Sequence, residues 1–134
     1  MKRSWQDSIH QQRGELARML REPLGQLAER CAPEWGDCDA LDAVLVENFS
    51  SIPHCSILYC VGMDGIQICN NVGRKGIVPE HLGRDRSRRP YMQEAVPVWG
   101  FLLSDAYISL KAHRPSLTAL QVVNRDSRTV GYLG

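Results

Sequence analysis

The stretch Ser56-Ile57-Leu58-Tyr59-Cys60-Val61-Gly62-Met63-Asp64-Gly65-Ile66-Gln67-Ile68-Cys69 is where the chain changes its period. Before it, apolar residues recur at steps of three, four or seven, as on one face of a helix. Within it they come in short runs, as on strands. Ser56–Val61 reads as one strand and Gly65–Cys69 as the next. Met63-Asp64-Gly65 between them carries the Asp-Gly hairpin signal, in which glycine accepts a positive φ. The chain is helical first and antiparallel sheet afterwards, an α+β layout.

Toward the N-terminus, Trp5, Ile9, Leu16, Leu20, Leu24, Leu27 and Cys31 line one helix face, with Ser4 as N-cap and Asp7 in the first turn. Pro23 lies inside this pattern and predicts a kink, or two helices meeting near Arg21-Glu22. Unbroken, residues 4 to 31 reach roughly 40 Å, long enough to serve both the chain's own sheet and a second copy. Pro33 and Gly36 end the helix. Asp37 or Asp39 then caps a second one, whose apolar stripe is Leu41, Val44, Leu45 and Phe49. Pro53 closes it, because the residue before proline avoids the α region.

Toward the C-terminus, a polar stretch from Asn70 to about Arg86 reads as one long loop, a length that in a compact domain is usually functional. Ser87 caps a short helix through Val96, Pro97 and Gly100 stop it, and Trp99 plugs the corner into the next strand. Phe101–Ile108, Leu117–Val123 and Thr129 to the end read as strands. Asn124-Arg125-Asp126-Ser127 is the turn between the last two. One five-stranded sheet with helices on one face accounts for the order. The chain stops at the close of a strand, so it reads as a piece of something longer.

With 134 residues, 43% hydrophobic and 23% charged, the chain makes a single domain with a core that needs no staples. That composition excludes a mainly disordered chain, a collagen-like chain and a coiled-coil rod. No apolar run of membrane-spanning length occurs, and Met1-Lys2-Arg3-Ser4-Trp5 leads into no secretory h-region. A net charge of +1 gives no general field for nucleic acid or lipid. The five cysteines (Cys31, Cys38, Cys55, Cys60, Cys69) have no metal or disulfide spacing and read as free thiols of a reducing compartment; a bridge or redox role is the other reading. The histidines are scattered, so no metal and no cofactor is expected. No nucleophile elbow, H-E-x-x-H or phosphate loop is present, and the chain does not read as an enzyme.

The sharpest local feature is Gly83-Arg84-Asp85-Arg86-Ser87-Arg88-Arg89-Pro90-Tyr91, which holds four of the sixteen basic residues. Two readings stand side by side. A helix start lined by arginine forks holds carboxylates or phosphates; a charge run is otherwise a solvated turn, here partly neutralised by Asp85. Tyr107, on a strand, reads as a core aromatic. Thr118 and Gln121 lie on opposite faces, so at most one of them meets a pocket.

Four segments in order resemble a known family. Arg89-Pro90-Tyr91-Met92-x-x-Ala95, Leu103-Ser104-Asp105-Ala106-Tyr107, Thr118-Ala119-Leu120-Gln121-Val122-Val123 and Val130-Gly131-Tyr132-Leu133-Gly134 are similar to the landmarks of Cache (PDC) domains. These are PAS-like extracellular sensors of bacterial chemoreceptors, histidine kinases and cyclic-dinucleotide enzymes. Asp64-Gly65 matches their first hairpin, and the long N-terminal helix fits them too. The resemblance covers residues 53 to 134 and leaves 1–52 as an N-terminal helical region.

It implies a PAS-like five-stranded antiparallel sheet with a long N-terminal helix and a short helix on the ligand side. It also implies a sensory domain of bacterial signal transduction. Arg89 and Tyr91 match the ligand-contacting helix start and Tyr107 the tyrosine of the following strand; Arg86, Thr118 and Ser109 complete the expected site. Met92 stands where a second aromatic is common. Ser109 stands where amino-acid-binding members carry the aspartate that holds the ligand's ammonium. A small anion or carboxylate is therefore the expected ligand. The expected partners are that small molecule, a second copy through the N-terminal helix, and a signalling output domain outside this chain; no nucleic acid is expected. A PAS-like dimerisation module without a ligand is the alternative, and an oligonucleotide contact through the arginine turn comes third. The family is mostly extracytoplasmic, but the missing membrane segment and the five cysteines set the expectation at the cytoplasm.

Overall fold

The computed structural model describes residues 5–79, 82–87, 100–103, 107–108, 115–116 and 118–134; the side chains of 5–10, 12–13, 107–108 and 115–116 are not included. Helix α1 runs from Trp5 to Cys31 and continues through Pro23. The two meeting helices expected there are one. A proline deletes a single intrahelical bond, and on both sides of it the leucine face is held against the sheet. Leu20, Leu24, Leu27, Ala28 and Cys31 are buried in the main core.

A 3₁₀ turn, Ala32–Glu34, and Gly36 at φ +96° reverse the chain into α2, Cys38–Asn48. Of the two candidate caps Asp37 is the one used: its carboxylate accepts the Ala40 N–H at 3.1 Å. Leu41 and Leu45 point into the core, with Val44 and Phe49 half-buried beside them. Ile52 is extended, as the proline after it requires.

Nine short strands follow among the described residues: β1 Ile57–Leu58, β2 Cys60–Gly62, β3 Asn71–Gly73, β4 Gly76–Val78, β5 Phe101–Leu103, β6 Tyr107–Ile108, β7 Pro115–Ser116, β8 Ala119–Arg125 and β9 Arg128–Leu133. The main sheet is antiparallel in the order β2-β9-β8-β5, with β1-β3-β4 and β6-β7 as smaller sheets. The return arm of the expected hairpin adds a fifth, irregular edge. Val61 bridges Gln67, Gly62 N–H donates to Ile66 O at 2.9 Å, and Ile68 N–H donates to Cys60 O at 3.0 Å.

Three strand expectations change. The single strand Ser56–Val61 divides at Tyr59, whose N–H and C=O both pair with Gly134 at 3.0 and 2.9 Å. The residues before it pair with β3 and those after it with β9, so the chain crosses from one sheet to another. The supposed loop after Asn70 contains the β3–β4 hairpin, with Gly76 at φ +110°. Three-residue strands rich in Gly and Asn leave no period to read. Phe101–Ile108 ends its first segment at Leu103, and β6 pairs with β7 instead of the main sheet. The short helix expected over Ser87–Val96 and the Trp99 corner lie outside the described residues from residue 88 onward.

The closing hairpin forms where expected, but its turn is shorter than the four residues read from sequence, because Asn124 and Arg125 pair with Thr129 and Arg128 as part of the strands. Asp126 and Ser127 both take positive φ, 52° and 64°, which suits a tight two-residue turn between twisted strands. Alternation along the sheet then makes two faces. Cys60, Phe101, Ala119, Val123 and Leu133 face α1, while Tyr59, Val61, Leu102, Leu120 and Tyr132 form a separate cluster on the other side.

Candidate functional site

Among the described residues, two of the predicted site residues, Arg86 and Thr118, lie on the second face of the sheet. The Asp64-Gly65 turn starts it: Ile66 N–H donates to Asp64 Oδ1 at 3.0 Å, and Gly65 takes φ +84°. Residues 83–86 then run alongside the return arm. Gly83 N–H donates to Gln67 O (3.0 Å), Gln67 N–H to Arg84 O (2.9 Å) and Arg86 N–H to Gly65 O (2.8 Å). Gly65 is needed here for space as well as φ, since a β-carbon on it would lie 2.8 Å from Ser87 Cα.

This backbone pairing carries Arg86 into the protein. It is 7% exposed, with its Nε donating to Gln67 Oε1 at 2.8 Å and Nη2 reaching Asn71 Oδ1 at 3.5 Å. Its guanidinium carbon lies 4.1 Å from the centroid of the Tyr59 ring. Gln67 in turn donates from Nε2 to Asn71 Oδ1 and Cys69 O, both at 2.8 Å. A buried cation is costly unless it is hydrogen-bonded, and here two amide oxygens and a π face supply the compensation. The basic run is thus divided: Arg84 is exposed like a residue of a solvated turn, and Arg86 is interior.

Thr118 is buried just before β8, and alternation sets it with Leu120 on this same face. Gln121 falls in register with Phe101 and Leu133 on the helix side, so of the two candidates Thr118 is the one that can meet a pocket here. Tyr107 lies on β6, and its side chain is outside the described part of the structure. Arg89, Tyr91 and Ser109 lie outside the described residues. Tyr59, Gln67 and Asn71 were missed from sequence. The one available signal was Gln67, a polar residue between Ile66 and Ile68 on an arm that otherwise reads apolar.

A second polar cluster ties the helical layer to the hairpin. Cys38, Asp39 and Asp42 hold candidate metal-ligating atoms within 4.8 Å of one another. Asp42, however, is buried and already accepts the Asn70 N–H at 2.9 Å and its Nδ2 at 2.6 Å. Burial, with the Asp42 charge beside it, pushes the Cys38 thiol up. The arrangement is a hydrogen-bonded joint.

No protein-family model matches the chain and no curated protein matches it. Solved structures do. An extracellular ligand-binding receptor from Desulfohalobium retbaense aligns over 92% of this chain and 22% of its own, with a TM-score of 0.74 and 15% identity. The ligand-binding domain of a Campylobacter jejuni chemoreceptor, in complex with 4-methylisoleucine, aligns over 96% and 52% (TM-score 0.69, 15% identity). That of a Pseudomonas fluorescens chemoreceptor, in complex with L-isoleucine, aligns over 95% and 49% (TM-score 0.58, 17% identity). The chain therefore spans about half or less of each.

All three are described as ligand-binding proteins. They overturn the expected cytoplasmic location: one neighbour is described as extracellular, and the others are ligand-binding domains of chemoreceptors. Among the described residues no helix is long and apolar enough to cross a membrane, and that absence, on which the expectation leaned, says nothing about compartment in a chain spanning only part of its neighbours.

Proposed function

From the Cache-type, PAS-like fold that the chain shares with bacterial chemoreceptor sensor domains, we propose that it binds a small organic acid and passes on occupancy as a signal. The observation that supports this most is Arg86, a buried cation on the sheet face that also carries Thr118. A site for an anion needs positive charge held in place away from bulk water, and this face has it. In this reading Arg89 and Tyr91, next along the chain, hold the carboxylate by charge-assisted hydrogen bonds. Tyr107, Ser109 and Thr118 complete the pocket. Ligand binding favours one of two arrangements, with no chemical step. The ligand arrives from outside the cytoplasm, and the response leaves through α1 or through a domain beyond Gly134.

An α-amino acid is the second reading. The Campylobacter and Pseudomonas domains are described in complex with amino acids, which are themselves carboxylates. Against it stands Ser109, where the resemblance calls for an aspartate to hold the ammonium.

A thermal-shift screen of organic acids and amino acids, followed by calorimetry, tests both. Arg89→Ala should weaken binding of the best hit roughly ten- to a hundredfold, about 1.4–2.8 kcal/mol, with the fold intact. Arg84→Ala should matter less. Unchanged affinity in Arg89→Ala removes the carboxylate assignment. A preference for an amino acid over the same acid without its amino group selects the second reading.

A further inference from the structure

Two consecutive residues at the entry to β3 are held on opposite sides of the chain. Asn71 is buried and turns to the candidate site, where its Oδ1 accepts from Gln67 Nε2 at 2.8 Å and lies 3.5 Å from Arg86 Nη2. Asn70 turns to the helical layer, and both its N–H and its Nδ2 donate to the Asp42 carboxylate of α2, at 2.9 and 2.6 Å. Successive side chains of an extended segment point opposite ways, so one peptide step serves both clusters.

At its other end α2 is tied to α1. Asn48, the last residue of α2, is buried, and its Nδ2 donates to Val44 O at 2.8 Å. Its Oδ1 accepts from Nη1 of Arg30, in the last turn of α1. We propose that a change in the Arg86 cluster is passed through the Asn70–Asp42 joint and along α2 to the end of α1.

The joint is what makes the link stiff. Asp42 is 4% exposed, and among the described residues the N–H donors to its carboxylate all belong to Asn70. A buried carboxylate stripped of its donors bears the full desolvation penalty, so α2 follows Asn70 instead of parting from it. Helix α2 packs on both β3 and α1, and its 11 residues carry the movement as one element. Of the two routes out of the domain, α1 and the chain beyond Gly134, this one uses α1. The purpose of the coupling rests on the ligand reading; its existence does not.

Cys38 stands beside the joint and reports on it. Its Sγ lies 3.8 Å from Asp42 Oδ2 and 4.0 Å from Asn70 Nδ2, and it is half-buried, whereas Cys31, Cys60 and Cys69 have no exposed surface. In a Cys55→Ser background of the full chain, iodoacetamide at fixed pH should label Cys38 first, read by intact mass and assigned by its loss in Cys38→Ser. Arg86→Lys keeps the charge and disturbs the donor geometry. It should raise the Cys38 rate about fivefold or more beyond any rise in the three buried thiols, which report global opening. Amide exchange in the last turn of α1 should likewise rise beyond that of β8.

Asn70→Ala removes the side-chain half of the joint, and in that background both excesses should vanish. Asp42→Asn, which removes the buried charge, is the second way to weaken the joint should Asn70→Ala fail to fold. A Cys38 rate or an α1 exchange rate indifferent to Arg86→Lys overturns the proposal. So does a response that survives the weakened joint, or one in which all four thiols speed up in parallel. No ligand is added, so an empty ligand screen leaves a positive result standing, and a failed coupling leaves the Arg89→Ala binding test standing.

Discussion

The guanidinium of Arg86 lies 4.1 Å from the ring centroid of Tyr59, residues that the chain separates by the whole first hairpin and the segment after it. Two amide side chains, Gln67 and Asn71, hold the cation against that ring. Arg86→Ala takes the Nε donor from the buried Gln67 Oε1, removes the longer contact to Asn71 Oδ1 and removes the cation from the π face. We expect a loss of about 2–4 kcal/mol in urea unfolding, since hydrogen bonds to charged groups contribute about 1.5–3 kcal/mol. Arg86→Lys keeps the charge but not the planar fork, and should lie between parent and alanine. A variant as stable as the parent would show that the cluster carries no stability.

Gly131 in β9 has no room for a side chain. A β-carbon there would meet Val61 O at 2.3 Å and the Trp35 indole at 2.4 Å, while the same indole donates its N–H to Val130 O at 3.1 Å. Gly131→Ala should therefore cost about 3 kcal/mol or prevent folding, at the upper end for overpacking. Adding Trp35→Leu should recover only part of the loss, because the Val61 carbonyl is backbone. Full recovery in the double variant, read by thermal melting, would put the whole clash on the indole.

The thiols set a pH limit. Burial pushes Cys55 from its ordinary 9.0 up to about 11, and Cys60 is also raised, by its thiol neighbours and burial. Between those values the folded chain keeps protons that the unfolded chain has released, so stability falls as pH rises. We expect the denaturation midpoint under reducing conditions to decline from pH 9.0 toward about 11, and Cys55→Ala to decline less steeply. Equal slopes in parent and variant would exclude Cys55 as a source.

Assembly through α1 has less surface available than its leucines suggested. Leu20, Leu24 and Leu27 are buried in the chain's own core, whereas Met19 is 48% exposed. We propose that a second copy packs on the outer face around Met19 and the turns before it. Sedimentation at tens of micromolar should give a dimer that Met19→Glu weakens. A parent mass that stays monomeric across concentration rules it out.

Local signals accounted for what was legible. The α1 and α2 periods, the Asp37 cap and the turn at Asp126-Ser127 depend on residues within a few positions of one another, and all were readable in order. The order of the four landmark segments was enough to indicate the fold. The readings that failed concerned pairing at a distance. Nothing local to Tyr59 says that Gly134 takes both of its backbone groups, and nothing in Asn71-Val72-Gly73 says that it is a strand.

What the sequence determined by itself was the architecture: helices first, antiparallel strands after, and a closing hairpin, because period, caps and turn residues act over a single turn or pleat. Tertiary structure decided which charges are interior. Arg84 and Arg86 are indistinguishable in a basic run, yet one is exposed and the other sits among Gln67, Asn71 and Tyr59. The physical reason is desolvation. A guanidinium stays out of water only where distant segments bring acceptors to it, and that convergence exists only once the sheet has formed.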